Sequence, residues 1–153
     1  MIESLHSPHI ARVKALIGSK GAKERREQGL FIAEGVQCAR EALSSSHGPE
    51  LKILYATESG LSKISEYDLS DVEIVEVTEA VMKAMSDTVT PQGLISLCYK
   101  PESDISSLIA TGKSTYIYLH QIQDPGNAGT ILRTADAMGI SAVITSPDSV
   151  DMY

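Results

Sequence analysis

The segment DPGNAGTILRTADAMG, residues 124–139, brings together residue types that could hold a ligand at the start of a helix. A buried strand leads into a Pro-Gly turn, and a helix is predicted to start at about Asn127. The first-turn amides of such a helix point toward the carboxyl edge of the strand, where α/β sheets hold ligands. On a 3.6-residue wheel, Ile131, Leu132, Ala135 and Met138 share the side that should face a core. Arg133 falls opposite, with Gly129 one turn earlier on its own side. A bare glycine there leaves room for a ligand to lie against the backbone under the guanidinium. Three other readings use the same residues. A generic phosphate-binding loop explains the turn, Arg133 can pair with Asp136 as a weak surface bridge, and Asn127 can be the helix N-cap. A dinucleotide-binding oxidoreductase fits poorly, because Gly126-Asn127-Ala128-Gly129 lacks the G-x-G-x-x-G spacing and the downstream acid.

A second set of candidates lies at the N-terminus. The chain of 153 residues carries a net charge of −7, which argues against a generic nucleic-acid coat. The first 26 residues nevertheless carry +4 and the remainder −11. A basic end on an acidic body suits a partner bound at one place, and a solvated helix face is the plainer alternative. Lys20, Lys23, Arg25 and Arg26 are the candidate phosphate contacts. Cys38 and Cys98 have no CxxC companion and read as two buried, reduced thiols of a cytosolic chain. Four scattered histidines give no metal-ligand spacing, so no metal is assigned. Phe31 reads as core, Glu34-Gly35 as a turn, Gln92-Gly93 as a loop before a strand, and His120 as a structural histidine at a strand end.

The elements that must position these residues follow from periodicity. SPHIARVKALIGS is a helix with Ser7 as N-cap and Pro8 at its first position. SKGAKERREQG is a short basic helix or ordered turn. Strand patterns at 30–33, LKILYAT, VEIVEV and GLISLCY alternate with helices at VQCAREAL, GLSKISEY and TEAVMKAMSD, the last capped by Thr78. Such alternation predicts an α/β layer with a mostly parallel sheet. At KPESD the character changes, and ISSLIATG, STYIYLHQI, the motif helix and SAVITSP make a new βαβ unit. Domains are therefore placed at 1–103 and 104–153. A two-stranded sheet is a poor place for a domain to end, so the chain is expected to be cut short. The composition, 42% hydrophobic and 22% charged, is that of a folded domain. No apolar run is long enough to cross a bilayer, and the N-terminus has no signal-peptide pattern.

DPGNAGTILRTADAMG closely resembles the first signature motif of the SpoU/TrmH class of RNA ribose methyltransferases, in the SPOUT superfamily. In that class an Asn-x-Gly turn precedes a helix carrying Arg-Thr-Ala, and Asn127, Gly129 and Arg133 fall on those positions. SPHIARVKAL, KERREQGLFIAEG and SDTVTPQGLISL resemble, in the same order, the substrate-binding domain that leads ribosomal-RNA members. The resemblance implies an α/β substrate-binding domain followed by the first βαβ unit of an α/β-knot methyltransferase domain. It implies S-adenosylmethionine-dependent 2′-O-methylation of RNA, ribosomal RNA above transfer RNA, by a homodimer assembled largely through the knot; the cysteine usage above points to the cytoplasm. Arg133 and Asn127 would then be catalytic, and Gly129 would contact RNA. The two later family motifs, which bind S-adenosylmethionine, are missing. The chain as it stands is thus expected to lack a cofactor site and activity. A non-catalytic RNA-binding or adaptor module is the alternative.

Overall fold

The computed structural model describes residues 1–44, 48–101, 106 and 114–153. The chain divides into two compact units, Met1–Pro101 with Tyr153, and Glu102–Met152. The expected domain boundary at 103/104 and, Ser106 apart, the expected helix over ISSLIATG lie outside the described residues.

In the first unit, α1 spans Pro8–Leu16. The Ser7 hydroxyl accepts the His9 amide at 3.3 Å, and Pro8 needs no amide partner in the first turn. Ile10, Val13 and Leu16, at i, i+3 and i+6, are the buried stripe. A 3-10 turn at Ser19–Gly21 leads into α2 (Ala22–Gln28). Then follow β1 (Leu30–Glu34), α3 (Val36–Ser44), β2 (Leu51–Ala56), α4 (Glu58–Ser62), β3 (Ile74–Glu76), α5 (Glu79–Met85) and β4 (Leu94–Tyr99). Thr78 caps α5 as predicted, accepting the Val81 amide at 3.3 Å.

The sheet order is β1-β4-β2-β3. It is not mostly parallel: β4 runs antiparallel to both β1 and β2, and only β2 and β3 pair in parallel. The expectation failed for a physical reason. From Leu94 to Cys98 β4 is buried without a break. Helices cover both faces of this sheet, so the strand reads as the unbroken apolar run usual in parallel sheets, whatever its direction. On one face α1 and α5 pack Val13, Leu16, Val81, Met82 and Met85 against Tyr55, Ile95 and Leu97. On the other, Ala39 of α3 and Ile64 meet Leu54, Ala56 and Leu94. The start of α4 lies directly on the loop before β4. A Cβ on Gly60 would stand 2.1 Å from the Gly93 carbonyl oxygen, so only glycine fits.

The second unit pairs β5 (Tyr116–Leu119) in parallel with β6 (Ala142–Thr145), register Tyr116↔Ala142 to Leu119↔Thr145. Between them runs α6 (Pro125–Ala137). This helix begins two residues earlier than predicted, because Asp124 rather than Asn127 is its cap. Asp124 Oδ1 accepts the Asn127 amide at 2.6 Å. Ala128 and Ala135 are its buried residues, with Ile131 and Leu132 half-buried. Met138, assigned to the core stripe, is 75% exposed. It is the residue at which α6 ends, and its backbone has left helical geometry, so the 3.6-residue wheel no longer describes it.

Candidate functional site

Arg133 is exposed on α6, opposite the buried alanines, as the wheel predicts. Its Nη2 donates to Thr130 Oγ1 at 3.3 Å, and Thr130 Oγ1 donates to the Gly126 carbonyl at 2.9 Å. The guanidinium is thereby tethered toward the helix N-terminus. It crosses Gly129, where an added Cβ would lie 3.4 Å from Arg133 Nη1. Among the described residues no ion pair joins Arg133 to Asp136, so the surface-bridge reading fails. The side chain of Asn127 is exposed, and among the described residues it makes no hydrogen bond. Asp124 caps the helix, so the Asn127 side-chain carboxamide is not used as the cap.

The turn before α6 is held by residues that sequence reasoning missed. Gln121 adopts φ +51°, a left-handed conformation uncommon for a residue other than glycine. Its backbone amide donates to Ser146 Oγ at 2.8 Å, and its side-chain amide donates to Asp148 Oδ2. Ser146 Oγ donates to Asp148 Oδ1 at 2.7 Å. With both oxygens accepting, Asp148 is held below the usual carboxylate range, by Ser146 first and Gln121 second. Gln123 Nε2 donates to the Asp148 carbonyl at 2.6 Å, and the Val150 amide to the Ile122 carbonyl at 2.7 Å. The loops after β5 and β6 are thus clasped together at the carboxyl edge of a parallel pair. The only signal in the sequence was the nearness of Gln, Ser and Asp to two predicted strand ends.

The basic N-terminal set divides. Lys20 and Arg26 are exposed. The Lys23 side chain is 78% exposed, with Glu27 3.7 Å away. Arg25 does not belong with them. It is 3% exposed and its Nη1 donates to the carbonyls of Leu16 at 2.6 Å and Gly18 at 2.9 Å. It caps the open carbonyl end of α1 and is unavailable to a phosphate.

The remaining candidates are structural. Glu34 accepts from the Ser86 and Thr88 hydroxyls, the latter at 2.7 Å, and pins the loop after α5. Gln92 Oε1 accepts the Val36 amide at 2.9 Å. Phe31 is half-buried on β1, and His120 is exposed, its ring stacked 6.3 Å from that of Tyr118. Cys98 is buried, which pushes its thiol up to about 11, whereas Cys38, expected to be buried, is exposed on α3. Among the described residues no group of three His, Cys, Asp or Glu could hold a metal. None of their helices is long and apolar enough to cross a membrane.

A βαβ unit carrying an arginine above a bare glycine follows, in sequence, an α/β domain with a basic N-terminal stretch, a two-part organisation. Comparison with known proteins agrees. Residues 8–96 match the MRM3-like substrate binding domain, and residues 114–153 the SpoU rRNA Methylase family. The chain belongs to the MRM3-like substrate-binding family and continues into a SpoU methylase segment. It is 32% identical over 131 residues to the 23S rRNA (guanosine(2553)-2′-O)-methyltransferase RlmP of Bacillus subtilis, covering 86% of this chain and 49% of that protein. It is 28% identical over 148 residues to the mitochondrial rRNA methyltransferase 3 of Homo sapiens, covering 94% of this chain and 34% of that one. The AdoMet-bound rRNA methyltransferase from Sinorhizobium meliloti superposes with a TM-score of 0.80 at 29% identity, over 98% of this chain and 55% of that chain. The chain thus spans about half the length of the Bacillus relative and about a third of the human one.

S-adenosylmethionine is the group such a neighbour binds. Two cavities lie in the first unit, one beside Thr57, Ser59, Thr78 and Glu79 and a smaller one lined by Pro8, His9 and Arg12.

Proposed function

We propose that the protein carrying this chain methylates a ribose 2′-hydroxyl in ribosomal RNA, with S-adenosylmethionine supplying the methyl group. The first unit recognises the RNA, and Arg133 orients the ribose and its phosphate. The supporting observation is the guanidinium tethered through Thr130 across a bare Gly129 at the start of α6. A 2′-hydroxyl is a weak acid that must lose its proton as its oxygen is methylated, so a catalyst has to orient that oxygen and offset its growing negative charge. A guanidinium stays protonated under ordinary conditions. Arg133 therefore acts as a fixed cation with two parallel donors rather than as the base. The Asn127 side-chain carboxamide, which makes no hydrogen bond among the described residues, supplies a further donor and acceptor on the same turn. Lys20, Lys23 and Arg26 supply phosphate contacts in the first unit.

On this reading the recognition domain ends near residue 103. Residues 1–153 supply recognition and the arginine, while the cofactor pocket needs the further length its relatives have. Calorimetric titration of the 153-residue chain with S-adenosylmethionine tests this division. The expected result is no saturable binding, and micromolar binding would contradict it. RNA binding by the full protein without methyl transfer would instead favour a non-catalytic adaptor.

A further inference from the structure

Tyr55 on β2 is fully buried, and its hydroxyl lies 3.0 Å from His9 Nδ1, with the two rings edge-to-face at 5.6 Å. The Arg12 guanidinium also bonds this hydroxyl, but it carries only donors, so His9 Nδ1 is the phenol proton's acceptor among the described partners. Were His9 Nδ1–H the donor, the buried phenol proton would have no acceptor, an arrangement costing roughly 1–3 kcal/mol. Tyr55 therefore donates to Nδ1, and His9 is fixed as the tautomer with its proton on Nε2. The Arg12 guanidinium stands near enough to act on the same hydroxyl. A cavity of about 220 Å³ opens beside them, lined by Pro8, His9 and Arg12. Its described lining contains no carboxylate, and Glu73, which also acts on Tyr55 through space, is not part of it.

The geometry points to an anchor for a single RNA phosphodiester, formed by His9 Nε2–H and the Arg12 guanidinium and pre-set by Tyr55. One neutral donor held in place by a buried phenol, beside one cation, suits a monoanionic oxygen pair. The position favours RNA over another anion. α1 packs against the 3-10 turn and α2, which carry exposed Lys20, Lys23 and Arg26, within the stretch of net charge +4. The anchor extends that basic surface, and the inference rests on the RNA reading above.

The test is side-chain ¹⁵N NMR of the histidines in the 153-residue chain, titrated separately with dimethyl phosphate and with a ribosomal-RNA oligonucleotide. In the free chain His9 should show the Nε2–H tautomer, and Tyr55→Phe should release it to a mixture. Both ligands should move the His9 Nε2 resonance. Arg12→Gln and Tyr55→Phe should each weaken RNA binding about tenfold, the scale of one lost charge-assisted or pre-set hydrogen bond. RNA binding that leaves His9 unmoved would overturn the anchor while sparing the RNA reading. Dimethyl phosphate moving His9 without any RNA binding would uphold the phosphate pocket and count against the RNA reading. A response to neither would overturn the anchor outright.

Discussion

Arg133 lies across Gly129 at contact distance: a methyl group on Gly129 would stand 3.4 Å from Arg133 Nη1. A methyl there makes ordinary van der Waals contact with the guanidinium, so alanine fits. Alanine also removes the entropy cost of glycine inside a helix, roughly 0.5–1 kcal/mol. Gly129→Ala is therefore expected to leave the fold intact or raise its thermal midpoint. It should nonetheless weaken methyl transfer by the full protein, because on the proposed reading the methyl covers backbone against which the substrate lies. A stabilised variant with undiminished activity would show that nothing docks on Gly129.

Arg25 and its basic neighbours are expected to part company. Arg25→Gln removes a buried cation from two carbonyls and should destabilise the first unit by roughly 2–3 kcal/mol, the worth of hydrogen bonds to a charged group. Lys20, Lys23 and Arg26 changed together to Gln should leave stability within about 0.5 kcal/mol, lower RNA affinity and flatten its salt dependence. Urea unfolding and filter binding across a salt series check the pair. An unchanged salt slope would return these three residues to the role of a solvated face.

What the sequence made legible, and what it hid, is clear from these residues. Ser7, Pro8 and Thr78 marked helix starts, because a capping hydroxyl acts on amides two or three positions away. Arg133 and Gly129 could be placed on one side of α6 because helical geometry alone fixes their relation. Arg25 was misread, since its acceptors lie seven and nine residues back across a turn that charge patterning does not describe. The strand order was hidden because burial on both faces removes the alternation that reveals direction. The Gln121–Ser146–Asp148 clasp joins residues 25 to 27 positions apart, which no local pattern encodes.

That clasp has a pH signature. Its hydrogen bonds hold the Asp148 carboxyl below the usual carboxylate range. A carboxylate depressed in the folded state contributes stability above its unfolded value, lost as pH falls through its folded one. The contacts from Ser146 and Gln121 should therefore persist from neutral pH down into the ordinary carboxylate range and break only below it. Carboxyl ¹³C titration should give Asp148 a midpoint below the usual carboxylate range. An ordinary midpoint would mean that the clasp is open in solution.

Gly60→Ala should be among the most damaging single-methyl changes in the first unit. The added carbon meets a backbone carbonyl at 2.1 Å, and a backbone cannot rotate away as a side chain can. A loss of roughly 1–3 kcal/mol is expected, the usual scale of forced overpacking. Thermal unfolding of the single variant checks it, and an unchanged midpoint would show that α4 and the loop before β4 can separate freely.

The account depends most on Arg133, and single-turnover methylation of ribosomal RNA by the full protein carrying these residues tests it. Arg133→Ala should leave the thermal midpoint unchanged, because the side chain is exposed and takes no part in the core. Methyl transfer at saturating S-adenosylmethionine should fall by roughly a hundredfold or more, the scale of losing one preorganised electrostatic donor. Arg133→Lys keeps the charge but loses the planar fork, so it should recover little of that loss. A near-wild-type rate for a well-folded Arg133→Ala protein would contradict the account, leaving Arg133 a surface residue tethered to Thr130 and no more.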